Sequence, residues 1–238
     1  GARVHTYYFV VKYKEQAFLA DTINKLKVNC VFDVGANIGL YSDHIRKSGF
    51  TGNIFSFEPI KDEYRKIVNL AENDPKWTAF NYALGNEIGE KQFNIVSSSE
   101  GSVKASGDST ILSSFLNPTI QGVSVNKIEN VQIRKIDTIF DEIVRQASIS
   151  EPRVYLKIDT QGFDLEVIRG SINSLHNIVG IQCEMAVIPL YDGAPRYTEV
   201  LNYIEELGFS LMELFLVNRT AGGAVETYDC VMARTSEL

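Results

Sequence analysis

Cysteine is scarce: Cys30, Cys183 and Cys230 are the only three in 238 residues. Their number is odd, none lies in a C-x-x-C pair, and each falls in an apolar run. A disulfide framework and a zinc site are disfavoured, and buried reduced thiols in a cytoplasmic compartment are expected. Long apolar runs are also lacking. The best stretch, 171–191, is broken by His176, Asn177, Gln182, Glu184 and Pro189, so no membrane span is expected. Basic residues are outnumbered, 23 Lys and Arg against 30 Asp and Glu, giving a formal charge of −7. That balance argues against nucleic acid as a partner, because phosphate neutralisation needs a basic surface. The three histidines, His5, His44 and His176, fall in the N-terminal arm, a helix and a loop. None is expected at a strand tip, so no Ser-His-Asp or Cys-His machinery is read.

What is present is an ordinary globular composition, 45 % hydrophobic. The length suits a single domain, 1–238, able to bury a core without staples. Continuous apolar runs alternate with amphipathic stretches, the pattern of parallel strands buried on both faces. Strands are expected at 28–34, 54–57, 77–82, 154–158 and 178–184. Helices are expected at 15–27, 39–49, 62–73, 138–147, 164–173 and 197–207. Asp62 reads as a helix cap, with Tyr64, Ile67, Val68 and Ala71 facing inward. The rhythm breaks after a turn at 85–89. A strand at 91–96 leads into a Ser-, Gly- and Asn-rich inserted segment at about 97–130, with an extended return at 131–136. Part of it, 97–114, reads either as a lid or as a solvated loop. Segments 209–217 and 227–233 suit a terminal antiparallel pair. The fold class is therefore α/β: a doubly wound, mostly parallel, Rossmann-like sheet with an antiparallel C-terminal strand pair and an inserted segment.

The first strand runs into Asp33-Val34-Gly35-Ala36-Asn37-Ile38-Gly39 and then a helix. Gly35 permits a sharp turn with no Cβ to obstruct a ligand, and Asn37 tolerates a left-handed backbone. The following helix presents its positive end to the turn, a setting for an anion. Asn37 and Leu40 stand where G-x-G-x-x-G needs glycines, so a dinucleotide fits poorly. D-x-G-x-N-x-G, with an acid on the strand, suits an amino-acid moiety better; a tight turn without a ligand is the plain alternative. Glu58 ends the second strand, where a carboxylate can chelate ribose hydroxyls or simply sit before a helix. Together the two features favour a nucleoside ligand.

Two further carboxylates fall at strand tips, Asp159 after 154–158 and Glu184 after 181–183. One reading makes one of them the general base for an acceptor hydroxyl. A second makes both oxygen ligands of Mg²⁺ or Ca²⁺. A third is structural: Asp159 caps the next helix and Glu184 pairs with a cation. Alternation puts Lys157 on the same face as Asp159, either as its ion-pair partner or to orient substrate. Tyr191, in a loop near the same rim, either contacts an acceptor or packs.

The motifs VFDVGANIGLYS (31–42), FSFEP (55–59) and NYALG (81–85) resemble those of class I S-adenosylmethionine-dependent methyltransferases. LKIDTQGFDLEVIRG (156–170), with IRKIDTIFDEI (133–143) before it and IQCEMAVIPLY (181–191) after it, resembles the FkbM family. The resemblance implies O-methylation of a hydroxyl on a small metabolite or carbohydrate, of sugar or polyketide type, with S-adenosylmethionine as cofactor. It implies that Asp33, Gly35, Ala36, Asn37 and Gly39 hold the methionine part, Glu58 the ribose, and Asn81 with Ala83 the adenine side. It places Asp159 at the transfer centre; strand-tip position and alternation add Glu184 and Lys157 as catalytic candidates, and Gln161 and Tyr191 are candidates for the acceptor side. Two positions depart from the family pattern: Asp164 stands where Glu is frequent, and Gln161 where an acid is frequent. The competing functions are an NAD-type oxidoreductase or epimerase, and a non-catalytic module of the same fold.

Overall fold

The computed structural model describes the backbone of residues 2–98, 110, 112–120 and 123–238, with side chains from residue 14 onward except 97 and 98. A seven-stranded sheet has the order β3-β2-β1-β7-β8-β10-β9. Its parallel part comprises β1 (Cys30–Val34), β2 (Asn53–Phe57), β3 (Trp77–Phe80), β7 (Val154–Ile158) and β8 (Ile178–Ala186). β9 (Phe209–Arg219) and β10 (Val225–Arg234) complete it as antiparallel strands. A second sheet of order β4-β6-β5 joins β4 (Ala83–Leu84), β5 (Gly89–Ser98) and β6 (Val123–Arg134).

Strand alternation distributes β1 between two cores. Cys30, Phe32 and Val34 face α4 (Ile136–Gln146), α5 (Asp164–Arg169) and α6 (Tyr197–Glu206). Val31 faces α1 (Ala2–Lys25), α2 (Leu40–Lys47) and α3 (Lys61–Ala71), against Leu19, Ile23, Ile45 and Ile67. Each such large side chain contributes about 1.5–3 kcal/mol on burial, which fixes the register. A slip of one residue would exchange the two faces. Asp33, one residue before the tip, therefore points into the α1–α2–α3 side and is completely buried.

The parallel strands and the terminal antiparallel pair stand where the sequence places them, and the three cysteines are free and buried. Several boundaries differ. α1 begins at Ala2, well before 15. Residues 123–130 belong to β6, paired antiparallel with β5 rather than to a loop. Much of this hairpin is exposed, so its polar side chains imitate loop composition. The strand expected over 77–82 ends at Phe80, and Ala83–Leu84 pairs in the other sheet. Asp62 is no cap: it lies in the first turn of α3 and pairs with Arg65 at 2.8 Å. Val68 is 42 % exposed, while Glu63 takes a buried place on that helix. Most of the expected lid, at 99–109 and 111, lies outside the described residues. Among the described residues, no helix is long and apolar enough to cross a membrane.

Candidate active site

Strand order reverses between β1 and β7: the other neighbour of β1 is β2, and that of β7 is β8. Ligands of open α/β sheets enter at the carboxyl ends of such a pair. Gly35 leaves β1 there and Asp159 leaves β7, whose next N–H, that of Asp159, donates to Val34 O at 2.9 Å. The two turns touch. A Cβ on Gly35 would lie 2.0 Å from the Asp159 carbonyl oxygen, and Gly35 has φ +73°. Asn37 (φ +48°) and Gly39 (φ +83°) are also left-handed. The N–H groups of Gly35 and Ala36 both donate to Phe57 O, at 3.0 and 3.1 Å, tying the turn to the end of β2.

Beneath the turn runs a buried polar chain. Trp77 Nε1 donates to Ser56 Oγ at 2.9 Å, the Ser56 and Ser42 hydroxyls are 3.0 Å apart, and Ser42 Oγ donates to Asp33 Oδ2 at 2.7 Å. Asp33 Oδ1 makes no hydrogen bond and faces Lys157 Nζ at 3.5 Å. Lys157 Nζ lies 3.4 Å from Asp159 Oδ2 and stands over the Tyr41 ring, 5.2 Å from its centroid. Burial works against the ammonium charge, but the carboxylates of Asp159, Asp33 and Asp229 outweigh it and hold Lys157 above the ordinary lysine value. Asp33 thus acts through Lys157 and Ser42 and does not line the cleft described below.

Asp159 is the open member of the group, its side chain 41 % exposed. Gln161 Nε2 donates to Asp159 Oδ1 at 2.7 Å and lies 3.3 Å from Glu184 Oε2. Tyr191 OH reaches Gln161 Oε1 at 2.9 Å and Leu112 O at 3.0 Å, and is itself buried. Gln161 (φ +55°) and Gly162 (φ +89°) turn the backbone so that this amide returns over Asp159. Burial, reinforced by Asp159, Asp229 and Asp164, pushes Glu184 well above the usual carboxylate range. α5 starts without a side-chain cap, so Asp159 does not serve as one. Among the described residues no cation pairs with Glu184, which is held by Gln161. A Mg²⁺ or Ca²⁺ site at Asp159 and Glu184 does not fit this donor set. The Gln161 amide stands between the two carboxylates, and no three or more His, Cys, Asp or Glu among the described residues are grouped to hold an ion.

A cleft of about 570 Å³ opens between α1, α2 and these tips, within the usual range of small-molecule sites. The sequence-derived residues Gly35, Ala36, Asn37, Lys157 and Asp159 line it. Tyr41, Gln182 and Asp229 also line it and were not singled out in the sequence. Their signal was present: Gln182 and Asp229 are polar residues inside buried strands. Gln182 Oε1 accepts from Tyr41 OH at 3.0 Å and Tyr155 OH at 3.3 Å.

Glu58, Asn81 and Ala83 stand on the other side of the turn, outside this cleft. Glu58 is 4 % exposed. Its Oε2 accepts from Asn37 N and its Oε1 from Ile60 N, both at 2.8 Å. Burial pushes its carboxyl up to about 8 against the pull of these two donors. Asn81 Nδ2 donates to the backbone oxygens of Glu58 (2.9 Å) and Pro59 (3.0 Å). Thr110 Oγ1 accepts from Asn37 Nδ2 at 3.1 Å and donates to Glu63 Oε1 at 3.2 Å.

Residues 33–211, from the buried aspartate to the start of β9, match the family described as the methyltransferase FkbM domain. The chain is 26 % identical over 152 residues to the hexuronic acid methyltransferase AglP of Haloferax volcanii, covering 62 % of this chain and 52 % of that one. It is similar in fold to the crystal structure of methyltransferase FkbM from Methylobacillus flagellatus KT. That likeness has a TM-score of 0.50 and 13 % identity, over 85 % of this chain and 43 % of that one. The chain thus spans about half the length of the relatives it matches. With its motif turn, reversal point and strand-tip acids in that order, this chain belongs to the FkbM methyltransferase family.

Proposed function

We propose that this chain transfers a methyl group from S-adenosylmethionine to a hydroxyl of a carbohydrate acceptor. The observation that carries the reading is the cleft at the strand-order reversal, where a left-handed glycine turn abuts a half-open Asp159. The AglP relative, named for a hexuronic acid, supports the sugar class.

The cofactor fits the residues present. Gly35 lines the cleft in a left-handed turn packed on the Asp159 carbonyl, Ala36 and Asn37 continue it along the methionine part, and Gly39 closes the turn against α3. After accepting two N–H groups, the Glu58 carboxylate keeps lone pairs for ribose hydroxyls. Asn81 and Ala83 border the adenine side. When bound, S-adenosylmethionine supplies a methyl group on a positively charged sulfur.

The chain's own work is to align and deprotonate. Asp159 takes the acceptor hydroxyl proton on the carboxylate that faces the cleft. Lys157 at one oxygen and Gln161 at the other fix its rotamer. Glu184 is the less suited base, because burial disfavours its ionised form and the Gln161 amide stands between it and Asp159. Tyr191 orients Gln161 and so acts on the acceptor side at one remove. Holding the hydroxyl in line accounts for much of the acceleration.

The test incubates the protein with S-adenosylmethionine labelled on its methyl and a panel of neutral and uronic glycosides, with product assignment by mass and NMR. Label on a sugar oxygen is expected, with calorimetric binding of S-adenosylmethionine and none of NAD. Absent binding, or label only on nitrogen or carbon, would overturn it.

A further inference from the structure

Behind Gln161 lies a second, much smaller space that the transfer reaction does not use. It measures about 20 Å³ and is bounded by Gly162, Asp164, Glu184, Tyr191, Val200 and Thr227, among others. One ordered water needs roughly 10–15 Å³ and two to four polar partners. Two of the lining side chains have buried oxygens, Asp164 Oδ1 and Thr227 Oγ1, with no hydrogen bond of normal geometry among the described residues; the Thr227 hydroxyl faces Glu184 without meeting that geometry. Asp164 is 3 % exposed and Thr227 1 % exposed, so bulk solvent does not reach them. A buried oxygen without a partner is disfavoured, and two at one chamber point to a shared ligand that both donates and accepts.

We infer that this chamber binds a single water joining Asp164 and Thr227 to Glu184, making Asp164 and Thr227 positioning residues for the reaction centre. The water accepts from the Thr227 hydroxyl and donates to the Asp164 and Glu184 carboxyls. Glu184 then holds its Oε2 toward the Gln161 amide, and that amide holds Asp159.

Charge explains why the ligand is neutral. The groups facing Glu184 are Asp159 after β7, Asp164 on α5, Asp229 and Thr227 on β10, and Tyr191 in the loop after β8. Burial pushes Asp164 up to about 7 and Glu184 above an ordinary carboxyl, so burial disfavours a doubly ionised pair. A water serves protonated and ionised carboxyls alike, whereas a cation needs them ionised.

The experiment does not depend on the methyl-transfer reading. High-resolution crystal structures of the full chain are compared for wild type, Thr227→Val and Thr227→Ser, and Glu184 is titrated by ¹³C-carboxyl NMR. Wild type is expected to show one peak within hydrogen-bond distance of Asp164 Oδ1 and Thr227 Oγ1. Thr227→Val, nearly isosteric, should lose the peak and raise the Glu184 midpoint, since a donor to its ionised form is gone; Thr227→Ser should restore both. A dry chamber in wild type overturns the proposal even if no variant folds. So does a peak that persists in Thr227→Val, or an unmoved midpoint. A midpoint shift without a wild-type peak assigns the effect to a direct Thr227–Glu184 contact and also overturns the water.

Discussion

The two sides of the Gly35–Gly39 turn carry the same kind of residue in opposite states. On one side, Glu58 is almost fully buried and both its oxygens accept backbone N–H groups. On the other, Asp159 keeps its side chain 41 % exposed, fixed by Lys157 and Gln161 and open to the cleft. Both are strand-tip acids, and each has a ligand-facing reading in the sequence, Glu58 toward a ribose and Asp159 toward an acceptor hydroxyl. The difference is in what precedes each one. Glu58 leaves β2 beneath the turn and ties two loops together, whereas Asp159 leaves β7 at the reversal point, where the described residues leave its side chain half open. One acid therefore builds the turn and keeps only spare lone pairs for the proposed ribose contact, and the other faces whatever enters the cleft.

The largest effect expected from this division falls on Asp159. Asp159→Asn should lower methyl transfer by about 10²–10⁴-fold, the usual worth of a positioned base. S-adenosylmethionine affinity and thermal midpoint should change little, because the side chain is half open. Steady-state kinetics with calorimetry on the same preparation checks this. Wild-type turnover in the variant would erase the functional distinction between the two acids.

Next comes the buried pair below them. Lys157→Met leaves Asp33 fully buried without its counter-charge, which costs about 3–5 kcal/mol for a buried ion pair broken on one side. Urea denaturation should show it. A loss under about 1 kcal/mol would mean that Ser42 alone satisfies Asp33. Gly35→Ala is expected to be smaller but still disruptive. Its Cβ would meet the Asp159 carbonyl oxygen at 2.0 Å, with φ at +73°. A strained backbone site of this kind costs about 1–3 kcal/mol, and the forced separation of the two turns should weaken cofactor binding as well. A neutral effect on both midpoint and binding would show that the turns need not touch.

Much of this was legible in the sequence. The parallel strands are uninterrupted apolar runs, so 154–158 is read correctly to the residue, and the turn, Asp159 and Glu184 are all read at strand ends. Lys157 and Asp159 meet because strand alternation requires it. What was hidden depends on burial and on partners far along the chain. Asp33 looks like a ligand residue from its neighbours in sequence. Only the register with Lys157 and Ser56 shows that it is spent internally. Tyr191 and Gln161 lie 30 residues apart and meet only through the loop after β8. The strand at 91–96 and the return at 131–136 were read, but the 123–130 part of β6 was missed because its solvent-facing positions carry loop-like residues. Val68 fits the apolar stripe of α3 by spacing, yet the buried position goes to Glu63.

The smallest expected effect is a change of slope, and it tests the closed side of the comparison. Glu58 is held up to about 8, above its ordinary 4.5, chiefly by burial. The fold therefore favours its protonated form. Its contribution to stability is complete below about pH 4.5 and is lost as pH rises through 8. In cofactor-free protein the thermal midpoint should fall across that window. Asp164 and Glu184 are shifted in the same direction and add to the fall, so the informative quantity is the difference from Glu58→Gln. The glutamine can accept from only one of the Asn37 and Ile60 N–H groups, which costs about 1 kcal/mol at pH 5. It cannot ionise, so its curve should be flatter and should approach or cross the wild-type curve by pH 9. Parallel curves would show that Glu58 keeps one charge state throughout. Two backbone donors would then outweigh burial, and the closed acid would be as ready as Asp159 to meet a ligand in its ionised form.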